Sequence, residues 1–486
     1  MTYRLCNSLF RLVLCAALAS LAFGCPDKNI QTDGRSEYWQ SVTPGKKFTL
    51  LVIGDAEIAK KINQVAGTWE ELTQASLIVE EMSIEQLLAD SDKPKADAVV
   101  CPIQLQATLV AKGYPAAISS EVHLSVPDDV WSDLLDTYKH KLSKFGPEEM
   151  FIPFGSQFFV CYYRVDLLQK LGAEPPKTWE DYENLQKNLQ EANSPNWRAS
   201  LEPTAPGWAA KSLLARAASY VTHRDYYSTV FDAKTMKPLI AAEPFVRALT
   251  EMCNANPLDV PRLSPSEVRS AFWQGKAALA ITYPTSAEDS APTEQLLPKQ
   301  SEFKAGIAMI PGSLKAFNPE KKIWDDRWRD EPSQIPTLIS GHVGMISAET
   351  SEPASMLKLL LWLSGEEWGT EVFASSPQSG IGRNSEVRQT SRWVEKEILR
   401  DQSVQLQYVT VLNSHWKRDA VFVFPPLPGY EEYMNVLDRE VRETIDGKKE
   451  PQAALNSVAD EWQKITEKYG IESQQKWYRR CCGMTG

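Results

Sequence analysis

The stretch Leu171–Gln186, "LGAEPPKTWEDYENLQ", decides how this chain is divided. Upstream, "FIPFGSQFFVCYYRVDLLQK" is an apolar run that becomes periodic. Downstream, Trp179, Tyr182, Leu185 and Leu189 recur at helical spacing. Neither Pro175 nor Pro176 can donate a backbone hydrogen bond, so the first helix must stop before them. Thr178 is placed to cap the next helix, and Glu180 and Asp181 suit its positive end. The local grammar is helix, stop, capped helix, and it names no function by itself.

Working outward, 486 residues with 43% hydrophobic content can build two domains with full cores. The net charge of −11 disfavours nucleic acid, whose phosphates need a positive footprint. At the N-terminus, Arg4 and Arg11 precede the short apolar segment Leu12–Phe23, the pattern of a secretory signal. Gly24-Cys25 resembles a bacterial lipobox, with Cys25 the lipidated first residue of the mature chain. Ala22 stands where leucine is usual, and Phe23 is bulky. Ordinary cleavage near Gly24, leaving Cys25 a plain thiol, is the alternative. No later run is apolar and long enough to span a bilayer. Cys101, Cys161 and Cys253 sit among apolar neighbours and read as buried thiols. Cys481 and Cys482 read as part of an unstructured tail, with no disulfide framework and no zinc spacing.

Past a polar tether, "KFTLLVIG", "SLIVEEM" and "ADAVVCPI" read as strands that alternate with helices, which implies a parallel sheet covered by helices. "VRSAFWQGKAALAITYP" reads as helix, glycine turn, strand and proline stop. Leu314–Gln334 reads as a solvated insertion. "PTLISGHVGMIS" reads as a strand whose glycines allow close backbone approach. Gly429–Lys468 is helical, broken at Gly447 and restarted near Pro451. Five histidines are scattered, and no HExxH, G-x-S-x-G or P-loop motif is present. Glycosidase carboxylates need no motif, so an enzyme is not excluded on this ground.

The segment from Pro153 through Pro-Pro-x-Thr-Trp to Gln190 resembles the signature region of family 1 extracellular solute-binding proteins, the carbohydrate-type receptors of ABC importers. The same order continues through "AAEPFVRALTEM", "AFWQGKAALAITYP", "FKAGIAMIPGS", "SGHVGMISAETSEPASMLKLLLWLSGEE", "SGIGRNS" and the final helical region, covering Phe48 to Tyr469. The resemblance implies an α/β, two-lobe periplasmic-binding-protein-like fold of type II, with a ligand cleft between lobes joined by hinge segments. It implies a signal peptide at 1–24, a lipid-anchored tether at 25–46, lobe 1 at 47–153 plus 340–403, lobe 2 at 154–339 plus 404–470, and a flexible tail at 471–486. It implies a monomeric, anchored periplasmic or cell-surface lipoprotein. Such a protein captures a solute, a sugar or oligosaccharide, and delivers it to ABC permease subunits without a cofactor, a metal or a catalytic residue. A secreted or anchored glycan-acting enzyme, or a sensor or scaffold that keeps the fold, stands as the alternative.

By the same resemblance the hinge crossings fall near Pro153–Ser156 and Ile339–Val343. Phe154, Gly155, Ser156, Gly341 and His342 would then face the cleft. Trp208 follows a Pro-Gly loop, Tyr283 ends a strand and Tyr430 opens the last helical region, places where an aromatic can meet a sugar face. Arg383, after "SGIG", could grip an oxyanion. Each has a plainer alternative: core packing for Phe154, Trp208, Tyr283 and Tyr430, a buried histidine for His342, and a surface ion pair for Arg383. His342 stands where many family members have tryptophan, and Phe154 where tyrosine is common.

Overall fold

A computed structural model describes residues 39, 41–191, 197–284, 303–326, 331–373, 376, 378–389, 402–417 and 420–484. The expected signal segment, Cys25 and most of the expected tether lie outside the described residues. The chain opens with β1 (Lys47–Ile53), β2 (Ser76–Met82) and β3 (Ala98–Pro102). A short hairpin, β4 (Lys144–Phe145) and β5 (Glu148–Glu149), leads into β6 (Phe151–Gln157). Then follow β7 (Val160–Arg164), β8 (Arg198–Leu201), β9 (Ala277–Thr282) and β10 (Ala305–Met309). A second hairpin, β11 (Lys315–Asn318) and β12 (Ile323–Asp326), precedes β13 (Thr337–Leu338), β14 (Ser340–Ile346) and, after a helical stretch, β15 (Phe422–Val423).

Two separate sheets result. The first has the order β2-β1-β3-β14-β6 and the second β10-β7-β9-β8. The first three strands are parallel, as their continuous apolar runs predict, but β14 returns antiparallel to both β3 and β6. The second sheet is antiparallel apart from the β8–β9 pair. Both sheets are therefore mixed. Phe154-Gly155-Ser156 stays inside β6, so the chain passes between the sheets at Phe158–Phe159, later than the sequence implied. The return crossing lies between β13 and β14, beside Ile339, whose amide bonds the Gln157 carbonyl.

The opening stretch folds as its grammar requires. Gly172 ends the helix Val165–Leu171 with φ of 62°, a conformation glycine adopts without strain. Asp181 N–H donates to Thr178 Oγ1 at 3.0 Å, and Thr178 N–H donates to the Asp181 carboxylate at 2.9 Å, a reciprocal cap. Trp179, Tyr182, Leu185 and Leu189 form the buried face of the helix Trp179–Glu191. Arg216 lies 3.9 Å over the Trp179 ring and pairs with buried Glu202 at 2.6 Å, so this charge is satisfied inside the second lobe.

Two expectations change. The stretch after Leu314 is a hairpin rather than a solvated insertion. Phe317 is buried, and Trp324 meets Tyr220 edge-on at 5.6 Å, because this hairpin has apolar surface to bury that its charges conceal. The C-terminal segment is not a free tail. Ile471–Cys481 is a helix whose Tyr478 is fully buried and accepts from the Thr229 and Phe231 amides, while Gln474 donates to the Pro428 carbonyl at 2.8 Å.

Candidate functional site

On the second lobe, the helix Ala209–Val221 starts beside the helix Tyr430–Ile445. Asp438 of the latter accepts from the Gly207 amide at 3.0 Å and the Ala210 amide at 3.2 Å. A carboxylate from a neighbouring helix thus satisfies the free amides and positive end of the first, and fixes where Trp208 points. Trp208 is half-buried and meets Tyr283 edge-on, ring centroids 5.6 Å apart. Lys211 Nζ lies 4.4 Å from the Trp208 ring centroid. Burial lowers the Lys211 ammonium to about 8, against the pull of Glu431 and Asp438. Burial raises the Glu431 carboxyl, Lys211 opposes this, and Glu85 of the first lobe adds to it. The Tyr430–Ile445 helix also approaches the turn Ile103–Leu105, at the end of β3 in the first lobe.

On the first lobe, Asp55 caps the helix Ala56–Thr73, accepting from the Ile58 amide at 3.1 Å. Its other oxygen lies 3.3 Å from His342 Nε2, and Ser376 also donates to it. Burial opposes the Asp55 carboxylate, but the His342 bond and charge, with Ser376 and the Ile58 amide, outweigh it and hold the group below the ordinary carboxylate range. His342 Nδ1 is 2.8 Å from Ser379 Oγ.

The expected site residues separate on inspection. Trp208 and Tyr283 come together, and Tyr430 stands half-buried at the helix start, edge-on to Phe424 at 5.3 Å. Tyr283 is itself buried, stacked on Phe159, so Trp208 and Tyr430 present more surface than it does. Phe154 turns into the first lobe, stacked on Phe373 at 4.1 Å, and does not face the cleft. Ser156 is buried and donates to the Ser340 carbonyl across the two hinge-side strands. Gly155 and Gly341 serve close approach. A Cβ on Gly155 would sit 1.9 Å from the Gly380 carbonyl oxygen, and one on Gly341 would sit 2.5 Å from the Gly155 carbonyl oxygen. His342 is fully buried in the Asp55–Ser379 contact. Arg383 is corrected outright. Its guanidinium is buried and donates to Ser364, to the Val130 carbonyl at 2.8 Å and to the Leu361 carbonyl at 3.4 Å, holding three segments of the first lobe. Asp55, Lys211, Glu85 and Glu431 were missed. Only Asp55 had a signal, a Gly-Asp pair ending an apolar strand and opening a helix.

A surface cavity of about 910 Å³ lies elsewhere, lined by Arg198 and Lys276. It sits at the start of β9, whereas Tyr283 follows its end, so it is not part of this cleft.

The model of the bacterial extracellular solute-binding protein family matches residues 56–369. The chain belongs to this family. No curated protein sequence matches it. Among solved structures, the solute-binding protein is similar to an ABC transporter solute-binding protein from Agrobacterium radiobacter K84 in complex with ribitol. Their TM-score is 0.62 at 19% identity, covering 87% of this chain and 99% of that one. It is also similar to MalE from Xanthomonas citri, with TM-score 0.64 and 15% identity over 87% and 98% of the two chains. Maltose-bound MalE3 from T. maritima gives TM-score 0.60 and 15% identity over 86% and 99%. These likenesses show the two-lobe α/β fold of a solute-binding protein.

Proposed function

We propose that this solute-binding protein is an extracytoplasmic receptor that closes its lobes on a sugar or polyol and delivers it to an ABC importer, without a chemical step. The observation that carries the reading is the Trp208–Tyr283 ring pair beside Lys211, whose charge feels Glu431, at the start of the helix Ala209–Val221. An aromatic face takes the apolar C–H surface of a sugar, while an ammonium and a carboxyl meet its hydroxyls. The similar proteins named above bind ribitol and maltose, which supports that ligand class. Closure of two lobes around a hinge would bury the solute and create the form a permease recognises.

In this reading lobe 1 combines 47–157 with 340–389, lobe 2 combines 160–339 with 402–484, and the hinge strands run through Phe158–Phe159 and Ile339. Trp208, Tyr283 and Tyr430 supply the aromatic surface. Gly155, Ser156, Gly341 and His342 shape the hinge-side wall. Cys25 anchors a monomeric receptor to the membrane through a lipid. Calorimetric titration with sugars, polyols and sugar acids tests the reading. A saturable response to one member, lost in Trp208→Ala, is the expected result. Binding of no member, or release of hydrolysis products from a glycan panel, would refute it.

A further inference from the structure

A cavity of about 580 Å³, lined by residues of both lobes, lies under the C-terminal helix Ile471–Cys481. It is separate from the cleft. The helix Ala209–Val221 carries Trp208 at one end, and Thr222 to Arg224, which follow its other end, line this cavity. Thirteen helical residues span roughly 20 Å, so the two sites stand about that far apart. The first lobe contributes Lys141, Lys144 and Phe145, and the second contributes Arg224, Trp477 and Arg480. Trp477 and Phe145 have ring centroids 4.6 Å apart, and the Arg480 guanidinium lies 5.2 Å from the Phe145 ring.

The charge of this cavity runs against that of the chain. The protein has a net charge of −11, yet no Asp or Glu is among the described residues that line the cavity. Lys141, Lys144 and Arg480 form no ion pair with a described carboxylate, and Arg224 has only its exposed neighbour Asp225, at 3.5 Å. Lys141, Lys144 and Arg224 are exposed and Arg480 is half-buried, with Glu149 opposite Lys144 in the β4–β5 hairpin, so the cavity offers an anion several cations at its solvent rim rather than a buried charge. Half-buried Trp477, backed by buried Phe145, gives the same space an apolar wall, and its volume is that of a small-molecule pocket.

We infer that this cavity is a second binding site, for a small organic anion in which a phosphate or carboxylate is joined to an apolar or aromatic body. The anionic group sits among Lys141, Lys144, Arg224 and Arg480, and the body lies against Phe145 and Trp477. Trp477 also supplies the readout, because its fluorescence responds to an occupant.

Phenyl phosphate, benzoate, inorganic phosphate and neutral benzyl alcohol are titrated into the full mature chain, followed by calorimetry and tryptophan fluorescence. Saturable binding of phenyl phosphate or benzoate is expected, with inorganic phosphate weaker and benzyl alcohol without effect. The Lys141→Gln/Lys144→Gln double variant and Arg480→Gln should each weaken binding about tenfold or more, and Lys141→Arg/Lys144→Arg should restore it. Melting temperatures of all variants confirm that each is folded. Trp208→Ala should leave this binding unchanged. No saturable binding to the unmodified chain overturns the inference, as does binding indifferent to the lysine variants. Loss of binding in Trp208→Ala would assign the anion to the cleft and also overturn it. Inorganic phosphate binding as tightly as phenyl phosphate would overturn the role of the rings.

Discussion

The indole of Trp208 stands edge-on to the phenol of Tyr283, centroids 5.6 Å apart, yet the two residues differ in what they can be asked to do. Trp208 is half-buried at the start of the helix Ala209–Val221, whereas Tyr283 is buried against Phe159. Trp208→Ala is expected to weaken solute binding about tenfold while the melting temperature of the unliganded protein moves little. Tyr283→Ala removes a packed ring and is expected to cost about 3–5 kcal/mol of stability. Calorimetry and thermal melts on both variants check this. Equal affinity with a large stability loss in Trp208→Ala would make it a packing residue.

Lys211 gives the cleft a titration. Its ammonium, lowered to about 8 by burial, offers a positive charge and three charge-assisted donors only while protonated. Solute affinity is therefore expected to fall as pH rises through about 8. Lys211→Met should bind more weakly at neutral pH and show no such fall. A pH-independent affinity in the unmodified protein would exclude Lys211 from solute contact.

Glu386 gives the first lobe a different pH dependence. Burial raises its carboxyl to about 7, although the Gly382 and Arg383 amides and the Arg383 charge oppose the shift. The folded state therefore binds this proton more tightly than the unfolded state. Its contribution to stability is complete below the unfolded value of about 4.5 and is lost as pH rises through about 7, by at most about 1.4 kcal/mol per unit. Thermal melts between about pH 5 and pH 7 should show a fall in the unmodified protein that Glu386→Gln flattens. Parallel curves for the two proteins would contradict this.

The glycines at the hinge-side strands are expected to be intolerant. Gly155 has φ of +97°, and an added Cβ would overlap a backbone carbonyl at 1.9 Å that no rotamer change can move. Gly155→Ala should cost on the order of 3 kcal/mol or more, read as a drop in melting temperature or loss of soluble protein. Gly113, which also has positive φ but open space around it, should cost on the order of 1 kcal/mol as Gly113→Ala.

Cys25→Ser is expected to release the protein from membranes, and mass spectrometry of the unmodified mature N-terminus should find an acyl chain. A mature N-terminus without one would end the lipoprotein reading.

The sequence by itself determined many of the elements and their ends, though not the β11–β12 hairpin or the C-terminal helix. Apolar runs, the Pro175-Pro176 stop, the Thr178 cap and the Gly447 break act through local sterics and hydrogen bonding, which need no distant partner. The ordered set of motifs likewise carried the family and the fold. Only the tertiary structure decided which side chains meet. Arg383 looked available for a ligand until Ser364, Val130 and Leu361 closed around it. The Glu431 carboxyl is raised chiefly by burial and held back by Lys211, which is hundreds of residues away in sequence, and a carboxyl's neighbours are fixed by packing rather than by its own segment. The C-terminal helix shows the same limit. Its polar sequence conceals that Tyr478 and Trp477 have places to bury, because those places are built by Thr229, Phe231 and Phe145, from loops of both lobes that only folding brings to it.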